Sequence, residues 1–186
     1  MGGGEVTVTE LDEQQLVDAC LAGREGAFDV VVERHRRSVY QLCYRFVGNH
    51  EDASDLSQEV FLRAYRGLKN FRGGSTLATW LYRIGVNVCL NRVAVKKPIT
   101  EDIDTRQHVD TVHEPQDERV LREERAVRVR AAIARLPPKQ RATLVLRMDQ
   151  ELSHEEIAGI LDSSVGAVKA NFFHAMGNLK KILSEA

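Results

Sequence analysis

The sequence lacks features that mark several common classes of protein. No apolar run approaches the roughly 20 residues of a membrane-spanning helix. The N-terminal segment, MGGGEVTVTE, has neither a basic start nor an apolar stretch, so it does not resemble a signal peptide. Cys20, Cys43 and Cys89 are far apart and form no CxxC pair. We therefore expect a cytoplasmic protein without membrane insertion, whose thiols are reduced and buried.

Motifs of catalysis and metal binding are also missing. The six histidines are scattered, and there is no HExxH, phosphate-binding loop or nucleophile elbow. His154 lies beside Glu155 and Glu156, but a helix-capping role accounts for Glu156 without a metal. The sequence predicts a protein that is not an enzyme and that needs no metal and no cofactor.

Acidic residues are absent from one long stretch of a chain whose net charge is only −1. Between Val60 and Lys97 there are eight basic residues and no acidic one. Residues 98–118 reverse the balance, with one basic and seven acidic residues. A solvated surface normally mixes both signs, so the basic stretch indicates a polyanionic partner.

What the chain does have is helical periodicity, with no alternation of the β type. From Phe28 to Phe46, apolar residues recur at three- and four-residue spacing over five turns. The segment 98–118 lacks this periodicity, contains two prolines and is acidic, which predicts a linker. The predicted fold is all-α, with a disordered tail at 1–10, a first helical domain at 11–97, a flexible acidic linker at 98–118 and a second helical domain at 119–186.

The C-terminal segment carries the sharpest motif. Ser153 and Glu156 have the spacing of a capping box at a helix start. Asp162, Ser163 and Ser164 predict a turn, with Ser163 or Ser164 capping a second helix. This pattern fits a DNA-binding helix-turn-helix, although an ordinary helical hairpin is the simpler alternative. The residues predicted to face DNA are Ser164, Ala167, Lys169, Ala170, Phe173 and His174.

The basic stretch holds a second candidate nucleic-acid surface. Thr79, Arg83, Asn87 and Asn91 recur every four residues, on the helix face opposite the apolar stripe. The loop before this helix, residues 70–75, combines flexible backbone, an aromatic ring and a cation, which suits an unstacked base. An anchoring role for the loop's aromatic ring fits equally well. The predicted set is Phe71, Arg72, Gly73, Ser75, Arg83, Asn87 and Asn91.

A third candidate surface is acidic. Asp55, Gln58 and Glu59 stand at i, i+3 and i+4 of a predicted helix, and therefore share one face. A solvated face is the simpler interpretation. A carboxylate patch repels DNA, so if it has a partner, a basic protein surface is the better match.

Three strings together resemble the extracytoplasmic-function sigma factors of bacterial RNA polymerase. They are DASDLSQEVFLRAY, NFRGGSTLATWLYRIGVNVCLNR and LPPKQRATLVLRMDQELSHEEIAGILDSSVGAVKANFFHA. The resemblance extends from about Gln14 to Leu183 and keeps the family's order. It implies a sigma-2 domain, an acidic linker and a sigma-4 domain, acting in transcription initiation.

The resemblance also implies partners for the three surfaces. Asp55, Gln58 and Glu59 correspond to the patch that grips the coiled coil of the largest polymerase subunit, and the polymerase flap is a second expected contact. The loop and Asn87 correspond to the parts that capture a flipped base of the single-stranded minus-10 element. The second helix of the motif corresponds to the reader of the duplex minus-35 element. An anti-sigma factor and a stress or envelope response are expected as well.

One segment departs from the family's pattern. Many relatives have a run such as VKSRLxRAR in the reading helix, whereas this chain has VKANFFHAM, with Asn171 and His174 where arginine is frequent. Fewer charged phosphate contacts are therefore expected from this helix. The competing functional hypothesis is a stand-alone helix-turn-helix repressor or activator, in which the basic helix and the acidic patch would have no task.

Overall fold

The structure is a computed structural model that describes residues 7–95 and 116–185, with the backbone alone at residues 95 and 116–120. Within these ranges there is no strand, which confirms the all-α prediction, and no helix is long and apolar enough to cross a membrane. In chain order the helices are α1 (Glu13–Leu21), α2 (Ala27–Val47), α3 (His50–Gly67), α4 (Leu77–Val95), α5 (Gln116–Ala134), α6 (Pro138–Met148), α7 (His154–Leu161) and α8 (Val165–Ser184).

Short polar side chains and a glycine set the helix ends in the first half. The carboxylate of Asp12 accepts the backbone N–H of Gln15 at 2.8 Å and begins α1. Gly48 takes a left-handed conformation, with φ of 76°, and closes α2. The Asn49 side chain then accepts the N–H of Asp52 at 2.8 Å to begin α3. Each cap satisfies a backbone group that the helix itself leaves without a partner.

The core of the first half lies where α2, α3 and α4 pack together. Leu42, Val60 and Leu81, one from each helix, are fully buried. Gly85 lets α4 approach α2 closely, because a Cβ at this position would lie 2.7 Å from Cδ2 of Leu42. Close packing of this kind makes the core sensitive to the addition of a single methyl group.

In the second half, α6, α7 and α8 pack around a smaller core. Leu146, Ile157 and Val168 are fully buried there. The side chain of Asn178 on α8 donates to that of Gln140 on α6 at 2.8 Å, which joins the outer ends of these two helices. Helix α5 lies against α8 and also against α2 of the first half.

The two halves contact each other over several helices, and one buried arginine lies where they meet. Helix α2 packs on α5 and α6, and α4 packs on α7. Arg141 of α6 is 6% exposed, and its guanidinium donates to the carbonyl oxygens of Phe46 at 2.8 Å and Leu136 at 3.3 Å, and to that of Ala134. One cation therefore binds the C-terminal ends of α2 and α5, where helix carbonyls lack partners.

Two sequence-based boundaries need correction. Residues 7–10, predicted within a disordered tail, include a 3-10 turn at Val8–Glu10, because Arg34 donates to the carbonyls of Thr9 and Leu11 at 2.9 and 2.7 Å. Helix α5 begins at Gln116, inside the predicted linker. It ends at Ala134, shortly before Pro137, since a residue that precedes proline avoids helical conformation. The rest of the predicted linker, up to residue 115, and residues 1–6 lie outside the described residues.

The close approach of α2 and α4 predicts the effect of Gly85→Ala. Alanine raises helix propensity by up to about 1 kcal/mol, but its methyl group must displace buried Leu42. We expect a net loss of about 1–2 kcal/mol in the free energy of unfolding, measured by urea denaturation. Gly177→Ala on α8 is the matched control, because a Cβ there meets open space. Equal stability of the two variants would contradict the packing argument.

Candidate nucleic-acid and polymerase interfaces

The helix-turn-helix forms with the caps that the sequence indicates. The Ser153 hydroxyl accepts the N–H of Glu156 at 3.2 Å, and the Glu156 carboxylate accepts the N–H of Ser153 at 2.8 Å, so the capping box at the start of α7 is complete. Of the two serines considered for the next cap, Ser164 takes the role and accepts the N–H of Ala167 at 3.1 Å. Asp162, in left-handed conformation, turns the chain between the helices.

The outward face of α8 is exposed and weakly charged. Val168 and Ala175 are fully buried and fix which side of the helix faces the core. Phe173 is 76% exposed, so its ring is accessible to a ligand on this face. The six residues predicted to face DNA are all exposed: Ser164, Ala167, Lys169, Ala170, Phe173 and His174.

The loop before α4 is anchored by its aromatic residue. The Phe71 ring lies 5.3 Å from that of Trp80, measured between centroids, and both rings are half-buried against the core. Arg72, Gly73 and Ser75 are exposed at the tip. The structure therefore gives Phe71 an anchoring position and leaves the tip open to a ligand.

A long-range contact that the sequence does not reveal fixes this loop. The Glu13 carboxylate of α1 accepts the backbone N–H of Leu77, the first residue of α4, at 2.7 Å. Thr76 accepts the N–H of Thr79 at 3.1 Å through its hydroxyl. The start of α4 thus has one local cap and one from a helix 64 positions earlier in the chain. Only the local Thr76 cap has a recognisable sequence signal.

The predicted polar face of α4 is partly engaged. Asn87 and Asn91 are exposed and on the expected side. Arg83 donates to the carbonyl oxygen of Gly159, which lies on α7 in the other half of the molecule. Arg92, from the same basic stretch, pairs with Asp52 of α3 instead of facing outward alone.

The acidic patch lies on one face of α3, as its spacing predicts. Asp55 and Gln58 are exposed and Glu59 is half-buried. The Glu59 carboxylate pairs with Nε of Arg63 at 2.7 Å, which offsets part of its charge. Leu62 lies one turn beyond Gln58 and is 52% exposed, so an apolar side chain continues the same face.

Neither metal binding nor thiol chemistry has support in the described part of the chain. Residues 7–95 and 116–185 contain no group of three or more metal-binding side chains. Cys43 and Cys89 are fully buried, and Cys20 is half-buried. A hydrogen bond to Cys43, together with burial, raises the pKa of Cys89, and burial raises that of Cys20. Their thiols are therefore poor nucleophiles.

Comparison with known proteins assigns both halves to one family. Residues 31–98 match the model of Sigma-70 region 2, and residues 126–179 match that of Sigma-70 region 4. The RNA polymerase sigma-H factor of Pseudomonas aeruginosa is 34% identical over 185 residues, covering 95% of this chain and 96% of the relative. The ECF RNA polymerase sigma-E factor of Escherichia coli K12 is 35% identical over 176 residues, covering 89% and 91%.

Solved structures agree in fold. CnrH, in complex with the cytosolic domain of CnrY, superposes with a TM-score of 0.70 at 22% identity, covering 93% of this chain and 97% of CnrH. RpoE of Bartonella quintana, in complex with the anti-sigma factor NepR, superposes with a TM-score of 0.65 at 18% identity. The match covers 86% of this chain and 98% of RpoE. A helix-turn-helix in one half and a basic stretch, Val60 to Lys97, in the other are features of a DNA-binding transcription protein. The chain belongs to the sigma-70 family, as an extracytoplasmic-function sigma factor.

The capping box predicts how α7 responds to mutation and to pH. Ser153→Ala removes the hydroxyl acceptor and should lower the free energy of unfolding by about 1 kcal/mol, measured by urea denaturation at pH 7. Hydrogen bonds from the Ser153 backbone N–H and then from its hydroxyl lower the pKa of Glu156. The ionised Glu156 carboxylate therefore adds to the free energy of unfolding at pH values above the pKa of an unfolded Glu, about 4.3. This stabilisation is lost as the pH falls through the lower pKa that Glu156 has in the folded protein.

A Glu156→Gln variant checks the assignment. It keeps the geometry of a capping box but has no charge to titrate. The stability difference between wild type and this variant should be present at pH 7 and shrink towards pH 3. A difference that is constant over this range would show that the Glu156 carboxylate is not the titrating cap.

Proposed function

We propose that this chain binds the RNA polymerase core and directs it to promoters, as a non-enzymatic cytoplasmic subunit. The face of α3 formed by Asp55, Gln58 and Glu59, with exposed Leu62 beside it, offers carboxylates and an apolar edge to a basic helical partner. The coiled coil of the largest polymerase subunit is the proposed partner, and the flap is the proposed contact of the second half.

The minus-10 element binds as a single strand to α4 and its loop. Arg72, Gly73 and Ser75 are exposed at the tip of the loop that the Phe71–Trp80 contact anchors, and their backbone amides and the Ser75 hydroxyl can meet the edge of an unstacked base. The amides of Asn87 and Asn91 add donors and acceptors along the same helix. Arg83 supplies a phosphate contact once it is released from Gly159.

The minus-35 element binds as duplex to α8. Gly166, Ala167 and Ala170 are small, so the start of this helix can enter the major groove deeply. Lys169 can donate to guanine or phosphate, and exposed Phe173 can pack on a thymine methyl group. With one cation on the first three turns, this helix gains less from phosphate contacts than an arginine-rich one, so the polymerase must supply part of the affinity.

A regulatory partner is part of the proposal. CnrH and RpoE, the solved structures of similar fold, are each bound to another protein, which for RpoE is an anti-sigma factor. By analogy, we propose that an anti-sigma factor binds the present chain and controls its activity in a stress or envelope response.

The observation that carries the proposal is that one chain presents three separate exposed faces, on α3, α4 and α8. A stand-alone repressor needs only the α8 face, and it would have no use for the faces on α3 and α4.

Polymerase core with this chain, incubated with a pool of genomic fragments, should give new transcripts whose start sites share sequence elements near minus 10 and minus 35. Asp55→Ala with Gln58→Ala should reduce both the transcripts and core pull-down. Tight duplex binding by the free chain, without new transcripts, would instead identify a repressor.

The two DNA readers should respond differently to a pre-melted promoter. Asn87→Ala removes a single-strand contact and should weaken open-complex formation by about 1–3 kcal/mol, with partial rescue by a template that already carries a bubble. Lys169→Ala weakens binding to the duplex, and a bubble should not restore minus-35 discrimination. The measurement is the rate of open-complex formation on the paired and bubble templates. If the bubble rescues both variants equally, the division between single-strand and duplex readers is wrong.

A further inference from the structure

Helix α1 is attached to the loop that the proposed function gives to the minus-10 element. The Glu13 carboxylate accepts the backbone N–H of Leu77, directly after the loop, at 2.7 Å. Leu16 and Val17 are buried on the inner side of α1, which also packs against the 3-10 turn at Leu68–Asn70, where the loop begins. Contacts at both ends of the loop therefore hold α1 beside it.

The side chain of Gln14 on α1 reaches the tip of the same loop. Gly73 lies at this tip in left-handed conformation, with φ of 69°. Apart from the neighbours of Gly73 in the chain, the one atom of the described residues within 4 Å of a Cβ built on Gly73 is Oε1 of Gln14, at 3.7 Å. Gln14 is exposed, as are Arg72 and Ser75. A polar group of α1 thus borders the surface proposed to hold an unstacked base.

A second contact fixes the orientation of the Gln14 amide. Its Nε2 donates to the Asp18 carboxylate, one turn further along α1, at 3.1 Å. An ionised carboxylate only accepts hydrogen bonds, so the amide nitrogen has to face Asp18 and the carbonyl oxygen is left for the side of Gly73. The chain therefore presents an acceptor at the loop tip, rather than a donor.

We propose that Gln14 is a specificity-determining residue of the site for the minus-10 element, where its Oε1 selects an unstacked base with an exocyclic amino group. Adenine and cytosine offer this donor, whereas guanine and thymine have a carbonyl oxygen at the corresponding position. An acceptor that faces a carbonyl leaves both oxygens without a partner. This role of Gln14 rests on the proposed function and adds α1 to the elements that read the melted strand.

The test measures base preference with the complete complex. Polymerase core with the full-length chain is incubated with random-sequence duplexes that carry an unpaired central segment, and the bound molecules are sequenced and compared with those bound by core alone. At one position of the aligned segment, wild type should enrich adenine or cytosine over guanine and thymine. Gln14→Ala should reduce this enrichment about three- to tenfold, as expected for the loss of one neutral hydrogen bond, and should leave the preferences at other positions unchanged.

Reversing the partner of Gln14 should reverse the preference. In Asp18→Lys the partner becomes a donor, so the amide carbonyl turns to the lysine and Nε2 turns to the loop. The enriched base at the same position should change to guanine or thymine. The added positive charge strengthens binding to every DNA sequence through the phosphates, so it does not by itself produce this change.

Gln15→Ala is the matched control. Gln15 is the same type of residue on the same helix, but its Oε1 accepts the backbone N–H of Asp12 at 3.1 Å, so it caps its own helix. The control loses a capping contact of α1 and should keep the base preference of wild type. It therefore separates a weakened α1 from a lost contact with the base.

Three outcomes would overturn the role of Gln14. They are a Gln14→Ala variant with the enrichment of wild type, a Gln15→Ala variant with the same loss as Gln14→Ala, or an Asp18→Lys variant with the base preference of wild type. Failure of the proposed function has a different signature, because core with the wild-type chain then enriches no base over core alone and gives no new transcripts. The role of Gln14 would fail with it.

Discussion

A single buried guanidinium ties the architecture together. Arg141 contributes donors to the C-terminal carbonyls of α2 and of α5, two helices from opposite halves of the chain. Helix ends buried without such partners are costly, and burial lowers the pKa of Arg141 without depriving it of its charge. The same junction between the halves also holds the Arg45–Asp149 ion pair at 3.0 Å and the hydrogen bond from Arg83 to the Gly159 carbonyl.

Local structure could be read from the sequence because its causes are local. The apolar spacing of α2 and the capping box of Ser153 with Glu156 involve residues within one or two turns, and both are present as expected. The contacts that join distant segments could not be foreseen. Glu13 capping α4 and Arg141 capping α2 connect positions 64 and 95 residues apart. An arginine destined for a buried carbonyl looks the same in sequence as one on a solvated surface, because only the fold decides its partner.

The structure also shows which partners the arginines of the basic stretch bind, which composition alone does not reveal. The basic stretch from Val60 to Lys97 indicates a polyanionic partner, but three of its arginines have partners within the protein: Arg63 pairs with Glu59, Arg92 with Asp52, and Arg83 with the Gly159 carbonyl. What remains free for DNA on α4 is mainly amide chemistry at Asn87 and Asn91. Amides recognise base edges rather than phosphates, which suits a reader of melted strand. Under the proposed function, the polymerase then supplies part of the affinity for DNA.

The central claim, that Arg141 makes the two halves one cooperative unit, is tested by urea unfolding followed with two probes. The chain has one tryptophan, Trp80 of α4, so its fluorescence reports on the first half, whereas far-ultraviolet circular dichroism reports on helices of both. In wild type the two transitions should coincide. In Arg141→Met, the loss of hydrogen bonds from a charged donor should cost about 2–3 kcal/mol, and the dichroism should begin to fall before Trp80 responds. Separate transitions in wild type, or coincident and unshifted ones in the variant, would contradict the claim.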